Sequence, residues 1–314
     1  MPTPCGNPKC RACNGMIARG VFDEGFTVAR TGWQSDRSAG EVMAPIAIPA
    51  ADLLNVPSRE FILLAGKDGV GKTCAIISLA DFVSQVEPSA TFYVLDLENK
   101  YRAALQTFGS VPSNVVLYQV DTMNDVTEAF DEIMNKRAPG DWLAVESAGR
   151  LWERAQDMGY QVITGTTKAL YMERRRATPA NQKQPPVTPR PDDLWSIIKG
   201  AHDSAFLDVI AQANDLNCII STGVSRTKEA RSNRKENPDR IDWRNETGID
   251  LNLEGAPRLP YFIYTGILLE MVGGLRTARV WRDNLSKLDD PAVTFTIPTR
   301  RDFATQFYVE TGRA

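Results

Sequence analysis

The segment Gly66–Thr73 constrains this sequence most, because it matches the pattern G-x-x-x-x-G-K-[ST] at every fixed position. Gly66, Gly69 and Gly71 let the backbone adopt positive φ angles and approach an anion without a Cβ atom. An apolar run precedes the pattern and a helical run follows it, which places the loop at a helix N-terminus, where phosphate binds. The sequence therefore predicts an α/β fold with a phosphate-binding loop.

The residue types within this loop indicate a nucleoside triphosphate bound with Mg²⁺. We expect Lys72 to reach the β- and γ-phosphates and the Thr73 hydroxyl to ligate the metal. The predicted nucleotide-binding residues are Gly66, Lys67, Asp68, Gly69, Val70, Gly71, Lys72, Thr73 and Cys74. The alternative is an ordinary glycine-rich turn, which the flanking strand and helix disfavour.

Around this loop, apolar runs alternate with amphipathic segments. The predicted strands are 59–65, 91–98, 115–120, 141–147 and 217–223. Helical spacing follows the loop and recurs in 100–108, 124–136 and 193–213. This alternation predicts a mostly parallel sheet with helices on both faces. Beyond Pro260, a β-hairpin turning at Gly273 and Gly274 and a further strand near 293–298 predict a C-terminal antiparallel β extension.

The chain is predicted to have two parts. Residues 1–43 lack a regular period and form an N-terminal arm, and residues 44–314 form a nucleotide-binding domain with its core at about 59–298. Two polar segments, 172–193 and 225–257, are predicted to be long loops. Five prolines in 177–193 argue against a helix there. Loops of this length within a compact domain are usually functional or disordered.

Composition excludes several classes of protein. The fractions of 43% apolar and 24% charged residues are those of folded globular chains, so disordered and fibrous classes are excluded. No apolar run approaches the roughly 18 residues of a membrane helix, and the first residues lack the apolar stretch of a secretory signal. We therefore expect a cytoplasmic protein that has no membrane partner. Because the net charge is −3, nucleic-acid binding would require local basic patches.

Carboxylates stand at the ends of two predicted strands. Glu146 ends one strand and suits support of the metal, and Asp96 and Glu98 end another. In a parallel sheet these ends meet at the edge where ligands bind. Strand alternation puts Asp96 and Glu98 on one face, so at least one of them is expected to point at the site. The alternative is that these are solvated carboxylates that begin helices.

Cysteine and histidine usage gives weaker signals. Cys5, Cys10 and Cys13 have the spacing of a zinc knuckle, but a closed zinc site takes four ligands and the fourth is not evident, so reduced surface thiols are the alternative. Cys74 and Cys218 are expected to be buried apolar residues. The one histidine, His202, is expected to pack or cap a helix rather than catalyse.

With these motifs in this order, residues 61–298 resemble the RecA-like recombinase and helicase ATPases, in particular the phage-encoded RecA-like annealing ATPases. In that family a strand ending in Asp-x-Glu follows the phosphate loop, and LDLEN places Glu98 there as the residue that activates water. The next strand ends in Asp-Ser, whereas this sequence reads VES, so Glu146 replaces the usual aspartate before Ser147. The longer carboxylate leaves the metal geometry and the hydrolysis rate open.

The resemblance implies further residues and partners. A polar sensor at the end of the fifth strand falls on Ser221 or Thr222, and a basic residue that reaches the γ-phosphate of a neighbouring subunit falls on Arg282. A second basic residue expected two places later is Asn284. The implied protein is a homo-oligomer that binds ATP with Mg²⁺ and hydrolyses it to ADP and phosphate, located in the host cytoplasm if it is phage-encoded.

In RecA-like proteins the loops after the fourth and fifth strands bind single-stranded DNA, which gives the two unassigned segments a role. Both segments are basic although the chain as a whole is acidic, and aromatic residues near them offer base stacking. The predicted DNA-binding residues are Arg174, Arg175, Arg176, Lys183, Arg226, Lys228, Arg231 and Arg234. Solvated loops without a partner are the alternative.

Three functions remain open on this sequence. The favoured one is a DNA-dependent ATPase that acts in recombination, repair or replication. The second is a nucleotide-gated assembly or virion protein that does not bind DNA. The third is a small-molecule phosphotransferase whose basic loops form a lid over the substrate.

Overall fold

The computed structural model describes residues 59–178, 191–226, 251–255, 259–283 and 293–313. The chain divides into two compact units. One holds Pro57–Arg154 together with Ser204–Ala314, and the other includes Ala155–Asp203. The predicted arm at 1–43 and its boundary lie outside the described residues, as do the three cysteines within it.

An eight-stranded sheet forms the centre of the first unit, in the order β10-β9-β8-β1-β5-β4-β2-β3. The six strands from β8 to β3 are parallel, and β8, β9 and β10 pair antiparallel. The strands of this sheet are β1 (Phe61–Gly66), β2 (Phe92–Asp96), β3 (Val115–Gln119), β4 (Trp142–Glu146), β5 (Asn217–Thr222), β8 (Thr265–Val272), β9 (Leu275–Asp283) and β10 (Thr294–Ile297). A two-stranded ladder joins β6 (Val224–Arg226) to β7 (Leu251–Leu253). The predicted α/β class with a C-terminal antiparallel part is confirmed.

Helices of the first unit pack against its sheet, and their apolar residues complete its core. In chain order, the helices of the two units are α1 (Lys72–Val86), α2 (Tyr101–Phe108), α3 (Met123–Lys136), α4 (Ala148–Thr164), α5 (Lys168–Ala177), α6 (Pro191–His202), α7 (Asp208–Gln212) and α8 (Phe303–Glu310). Helix α1 contributes Ile76 and Leu79 to a cluster that also contains Phe92 and Phe303. The Ser78 hydroxyl donates to Arg301 O at 2.6 Å and accepts from Ala304 N, so α8 begins against α1. These contacts join α8 to α1, the helix whose N-terminus follows the phosphate loop.

The sequence missed or misplaced several helices. Helices α4, α5 and α8 were not predicted, and the single helix expected over 193–213 is divided by a π-helical segment, Asp203–Leu207. Helix α6 begins at Pro191, inside the segment from which prolines were expected to exclude a helix. Proline is tolerated at the first helical position, where its missing N–H is not needed, and Asp192 and Asp193 suit the first turn.

Small and aromatic residues join the helices of the second unit. A Cβ atom on Gly159 of α4 would come within 2.5 Å of Ile198 of α6, so only glycine permits this approach. The rings of Tyr160 and Tyr171 lie 5.3 Å apart and connect α4 with α5. The last turn of α5 carries Arg174, Arg175 and Arg176, all three exposed. In the described parts of the chain, every helix is too short or too polar to cross a membrane.

Candidate nucleotide-binding site

The phosphate loop connects β1 to α1 as its sequence predicts. Gly69 and Gly71 have φ angles of 78° and 110°, in the region that side chains with a Cβ atom disfavour. Gly71 is the residue immediately before α1, so the glycine-rich turn delivers the chain to the helix N-terminus. Backbone N–H groups at such a terminus have no partner within the helix and attract anions.

Lys72 lies folded across this loop. Its Nζ donates to Gly66 O at 2.8 Å and to Lys67 O at 3.1 Å, and it lies 4.0 Å from Asp68 Oδ1. Burial lowers the pKa of Lys72, and the nearby carboxylates of Glu146 and Asp68 partly oppose this shift. The ammonium group is therefore poorly solvated where it stands, and a phosphate would supply the negative charge that compensates it.

Glu146, at the end of β4, faces the loop directly. Its Oε1 accepts from the Thr73 hydroxyl at 3.0 Å. Burial raises the pKa of Glu146 to about 7, and hydrogen bonding from the Thr73 and Ser221 hydroxyls opposes this rise. The side chain is only 1% exposed, and Oε2 has no well-formed hydrogen bond within the described residues. The longer side chain, present where the resemblance expects aspartate, thus reaches the loop threonine without an intermediary.

The donor set at Thr73 and Glu146 fits Mg²⁺. A hydroxyl and a carboxylate with an unused buried oxygen are the hard oxygen ligands that this ion takes, usually with several waters and substrate phosphates. These two residues would hold the ion. Elsewhere in the described residues, no group of three or more His, Cys, Asp or Glu side chains stands in a metal-binding arrangement.

The structure separates the roles of Asp96 and Glu98. Asp96 is fully buried and accepts from three backbone N–H groups, those of Glu98, Lys100 and Tyr101, so it caps the start of α2. Glu98 instead faces the cavity beside the loop. Its carboxylate lies 2.5 Å from Lys100 Nζ and 3.3 Å from Arg150 Nε, and it accepts from Ser147 Oγ at 3.4 Å.

A cavity of about 390 Å³ brings these groups together. Its wall includes the loop residues from Asp68 to Cys74, except Val70, together with Glu98 and Glu146. Sequence reasoning did not place the other members, which are Lys100, Ala103, Ala104, Thr107, Arg276 and Arg300. The Asp-x-Glu motif lies next to Lys100, but no local signal identifies Arg276 or Arg300, because the fold of the C-terminal part brings them there.

Other predicted residues lie in different surroundings. Arg282 does not line this cavity; its Nη1 donates to Pro260 O at 2.9 Å. Of the two sensor candidates, Ser221 neighbours Glu146, whereas Thr222 donates to Glu254 O. Cys74 was expected to be buried but is half-buried and lines the cavity, whereas Cys218 is buried as expected.

His202 is described by the structure, whereas several predicted DNA-binding residues and the predicted zinc ligands are not. His202 is buried next to Asp203, as a packing residue would be, and burial lowers the pKa of its ring. Lys183, Lys228, Arg231 and Arg234 lie outside the described residues, and so does the side chain of Arg226. Cys5, Cys10 and Cys13, the predicted zinc ligands, also lie outside them.

Comparison with known proteins gives little further information. No family model matches the sequence, and no curated protein matches it significantly. One similar solved structure is a KaiC-like protein from the hyperthermophilic archaeon Pyrococcus horikoshii OT3. The identity is 11%, the match covers 81% of this chain and 94% of that chain, and the TM-score is 0.43. A likeness at this level does not assign a function.

Proposed function

We propose that this chain is a RecA-like ATPase, related to the phage-encoded annealing ATPases, that binds ATP with Mg²⁺ and acts on single-stranded DNA in recombination, repair or replication. The observation that carries the proposal is the contact of Glu146 with the Thr73 hydroxyl, 3.0 Å long, beside a glycine-rich loop that also holds Lys72. A cation, a hydroxyl and carboxylate oxygen pair, and the loop glycines line one cavity, which supports the proposal.

The proposed mechanism assigns one task to each side chain. Lys72 leaves the carbonyls of Gly66 and Lys67 and binds the β- and γ-phosphates. Thr73 and Glu146 would hold Mg²⁺, which would supply charge neutralisation for the phosphates. Glu98, across the same cavity, orients the attacking water and accepts its proton.

The partner proposals rest on separate observations. Arg282 would reach the γ-phosphate of a neighbouring subunit in a homo-oligomer, after exchanging its hydrogen bond to Pro260 O. The exposed arginines at the end of α5 support DNA binding, because exposed cations contact phosphates at little desolvation cost. The cytoplasmic location belongs to the same proposal.

Steady-state ATP turnover with and without single-stranded DNA, over a series of salt concentrations, tests this function. We expect DNA to stimulate turnover, Lys72→Ala to abolish nucleotide binding, and Glu98→Gln to bind ATP but lose turnover. Arg102→Ala, which removes an exposed cation of α2 that does not line the cavity, serves as the control.

Three other results would contradict the proposal in different ways. Oligomerisation with ATP and no response to DNA would favour the assembly protein. Phosphorylation of a small acceptor would favour the phosphotransferase. Normal hydrolysis by Lys72→Ala would remove the site itself.

A further inference from the structure

Arg276, near the start of β9, lies against the phosphate loop although about two hundred residues of chain separate them. A Cβ atom built on Gly71 would stand 3.3 Å from Arg276 Nε and 3.6 Å from its Cδ. The guanidinium therefore lies directly over the last loop residue before α1. It also lines the same cavity as Lys72 and Thr73.

The sheet fixes this position. Successive residues of a strand point to opposite faces, so Arg276 shares a face with Ala278 and Val280. Ala278 and Val280 are buried in the core cluster that contains Ile76 of α1. Arg276 therefore lies on the face of β9 that packs against α1. Its side chain lies next to Gly71, at the N-terminal end of α1. Its backbone is paired on both sides, with Met271 of β8 and Ile297 of β10.

Arg276 lines a cavity that also contains carboxylates, but it forms no ion pair with a carboxylate of the described residues. Its Nε is buried and has no hydrogen-bond partner within the described residues. Arg300 lines the same cavity, and no ion pair joins either arginine to a carboxylate in the described parts of the chain. Both guanidinium groups lower the pKa of the nearby Cys74 thiol, against the larger effect of its burial. A buried donor without a partner costs free energy, and an anion at the N-terminus of α1 would satisfy it.

We propose that Arg276 binds the phosphate chain of the nucleotide from within the same subunit, so that a bound nucleotide ties the β8–β9 hairpin to the phosphate loop. This inference rests on the proposed nucleotide-binding function and assigns it a second cation beside Lys72. It also gives Gly71 a second constraint, since any side chain there would meet the arginine.

Titration calorimetry with Mg²⁺ and either ATP or inorganic tripolyphosphate tests the assignment. Arg276→Ala should weaken both ligands by the same factor, roughly ten- to hundred-fold, which is the range expected for one charge-assisted hydrogen bond. Arg276→Lys should fall between the wild type and the alanine variant, because it keeps the charge but not the fork of donors. Arg102→Ala should bind both ligands as the wild type does.

Each other outcome has a distinct meaning. If the wild type and Arg276→Ala bind ATP equally, this inference is wrong while the nucleotide site stands. If Arg276→Ala weakens ATP but not tripolyphosphate, the arginine contacts the nucleoside and the phosphate assignment is wrong. If the wild type binds neither ligand, the proposed function and this inference both fail.

Hydrogen exchange supplies a readout that a purely structural role would not change. In the wild type, ATP should slow amide exchange in both α1 and the β8–β9 hairpin. In Arg276→Ala, or in Arg276→Lys if the alanine variant does not fold, the slowing should persist in α1 and decrease in the hairpin. Equal slowing of the hairpin in wild type and variant would overturn the proposed tie.

Discussion

Among single residues, Glu146 is a carboxyl group in a buried environment, because it is 1% exposed and burial raises its pKa to about 7. In the unfolded chain the same group ionises near its ordinary value of 4.5. Between these two pH values the folded state holds a proton that the unfolded state has released. The free energy of unfolding should therefore fall as pH rises through this window and stay level above it.

Urea unfolding of the nucleotide-free protein between pH 4.5 and pH 8 measures this contribution of Glu146. The difference in unfolding free energy between Glu146→Gln and the wild type should grow by roughly 3 kcal/mol across the window, in favour of the glutamine variant. Glu132→Gln, at an exposed position of α3, is the control and should not show this growth. A difference independent of pH would show that Glu146 titrates normally.

The same residues show what the sequence could predict about the site. The proximity of Lys72, Thr73 and Glu146 was predictable from the sequence. Strand, loop and helix follow one another directly there, and parallel strands end at the same edge of the sheet. Either Asp96 or Glu98 could have faced the cavity, because alternation alone puts both on one face; capping of α2 by Asp96 decides between them. The proximity of Arg276 and Arg300 to the loop was not predictable, because it depends on the pairing of β8 with β1, which is far earlier in the sequence, and β9 and β10 follow β8 in the sheet.

Among elements, the residues that follow α8 are tied to the sheet by the Arg313 side chain, in addition to the apolar packing of α8 itself. Arg313 contacts Glu60 Oε1 at 3.0 Å, Asp283 Oδ1 at 2.7 Å and Thr265 Oγ1 at 2.9 Å, and it lies over the Phe307 ring. The Arg313 and Asp283 side chains are only 8% and 2% exposed. These contacts of Arg313 connect the end of the described chain to Glu60, which immediately precedes β1, and to β8 and β9.

Arg313→Ala should lower the free energy of unfolding by roughly 3 kcal/mol, since removing one partner leaves buried carboxylates without that cation. The midpoint of urea unfolding measures the effect. Lys136→Ala, which breaks the exposed pair with Glu132, should leave the midpoint nearly unchanged. An equally small effect for Arg313→Ala would show that water replaces the contacts of Arg313 with the two carboxylates.

Local sequence features account for two of the helix starts that were predicted wrongly. Helix α4 begins at Ala148, with one residue between it and the end of β4, so no loop segment marks the change from strand to helix. Helix α6 starts with a proline, which excludes a helix interior but suits a first turn. The strands were easier to predict, because central strands that are buried on both faces read as continuous apolar runs.

For the whole molecule, the DNA proposal depends on charge outside the nucleotide cavity. Arg174, Arg175 and Arg176 are consecutive in α5, so roughly 100° of rotation separates each from the next, and they do not share one face. Their positive charges are therefore distributed around the last turn of α5 rather than along one side of the helix. Each contact with a single-stranded phosphate contributes about 0.7 to the salt slope of binding.

Replacing all three arginines with glutamine should weaken binding of single-stranded DNA and reduce the slope of log K against log salt by up to about 2. Fluorescence anisotropy with a labelled oligonucleotide at several salt concentrations measures both quantities. Neutralising Arg102 and Lys136, exposed cations on other helices, should leave the slope unchanged. An unaltered slope in the triple variant would place the DNA contacts elsewhere or remove them.

The sheet order also bears on synthesis of the chain at the ribosome. Within the described residues, strand β1, which leads into the phosphate loop, pairs with β5 and β8, and both are translated after β2, β3 and β4. Until these two strands leave the ribosome, the backbone N–H and C=O groups on both edges of β1 have no strand to pair with. The unpaired segment can then pair with other chains. The proposed nucleotide binding would therefore have to await the last third of the chain, and a polypeptide interrupted before Thr265 would carry the complete loop motif without the strand that pairs beside it.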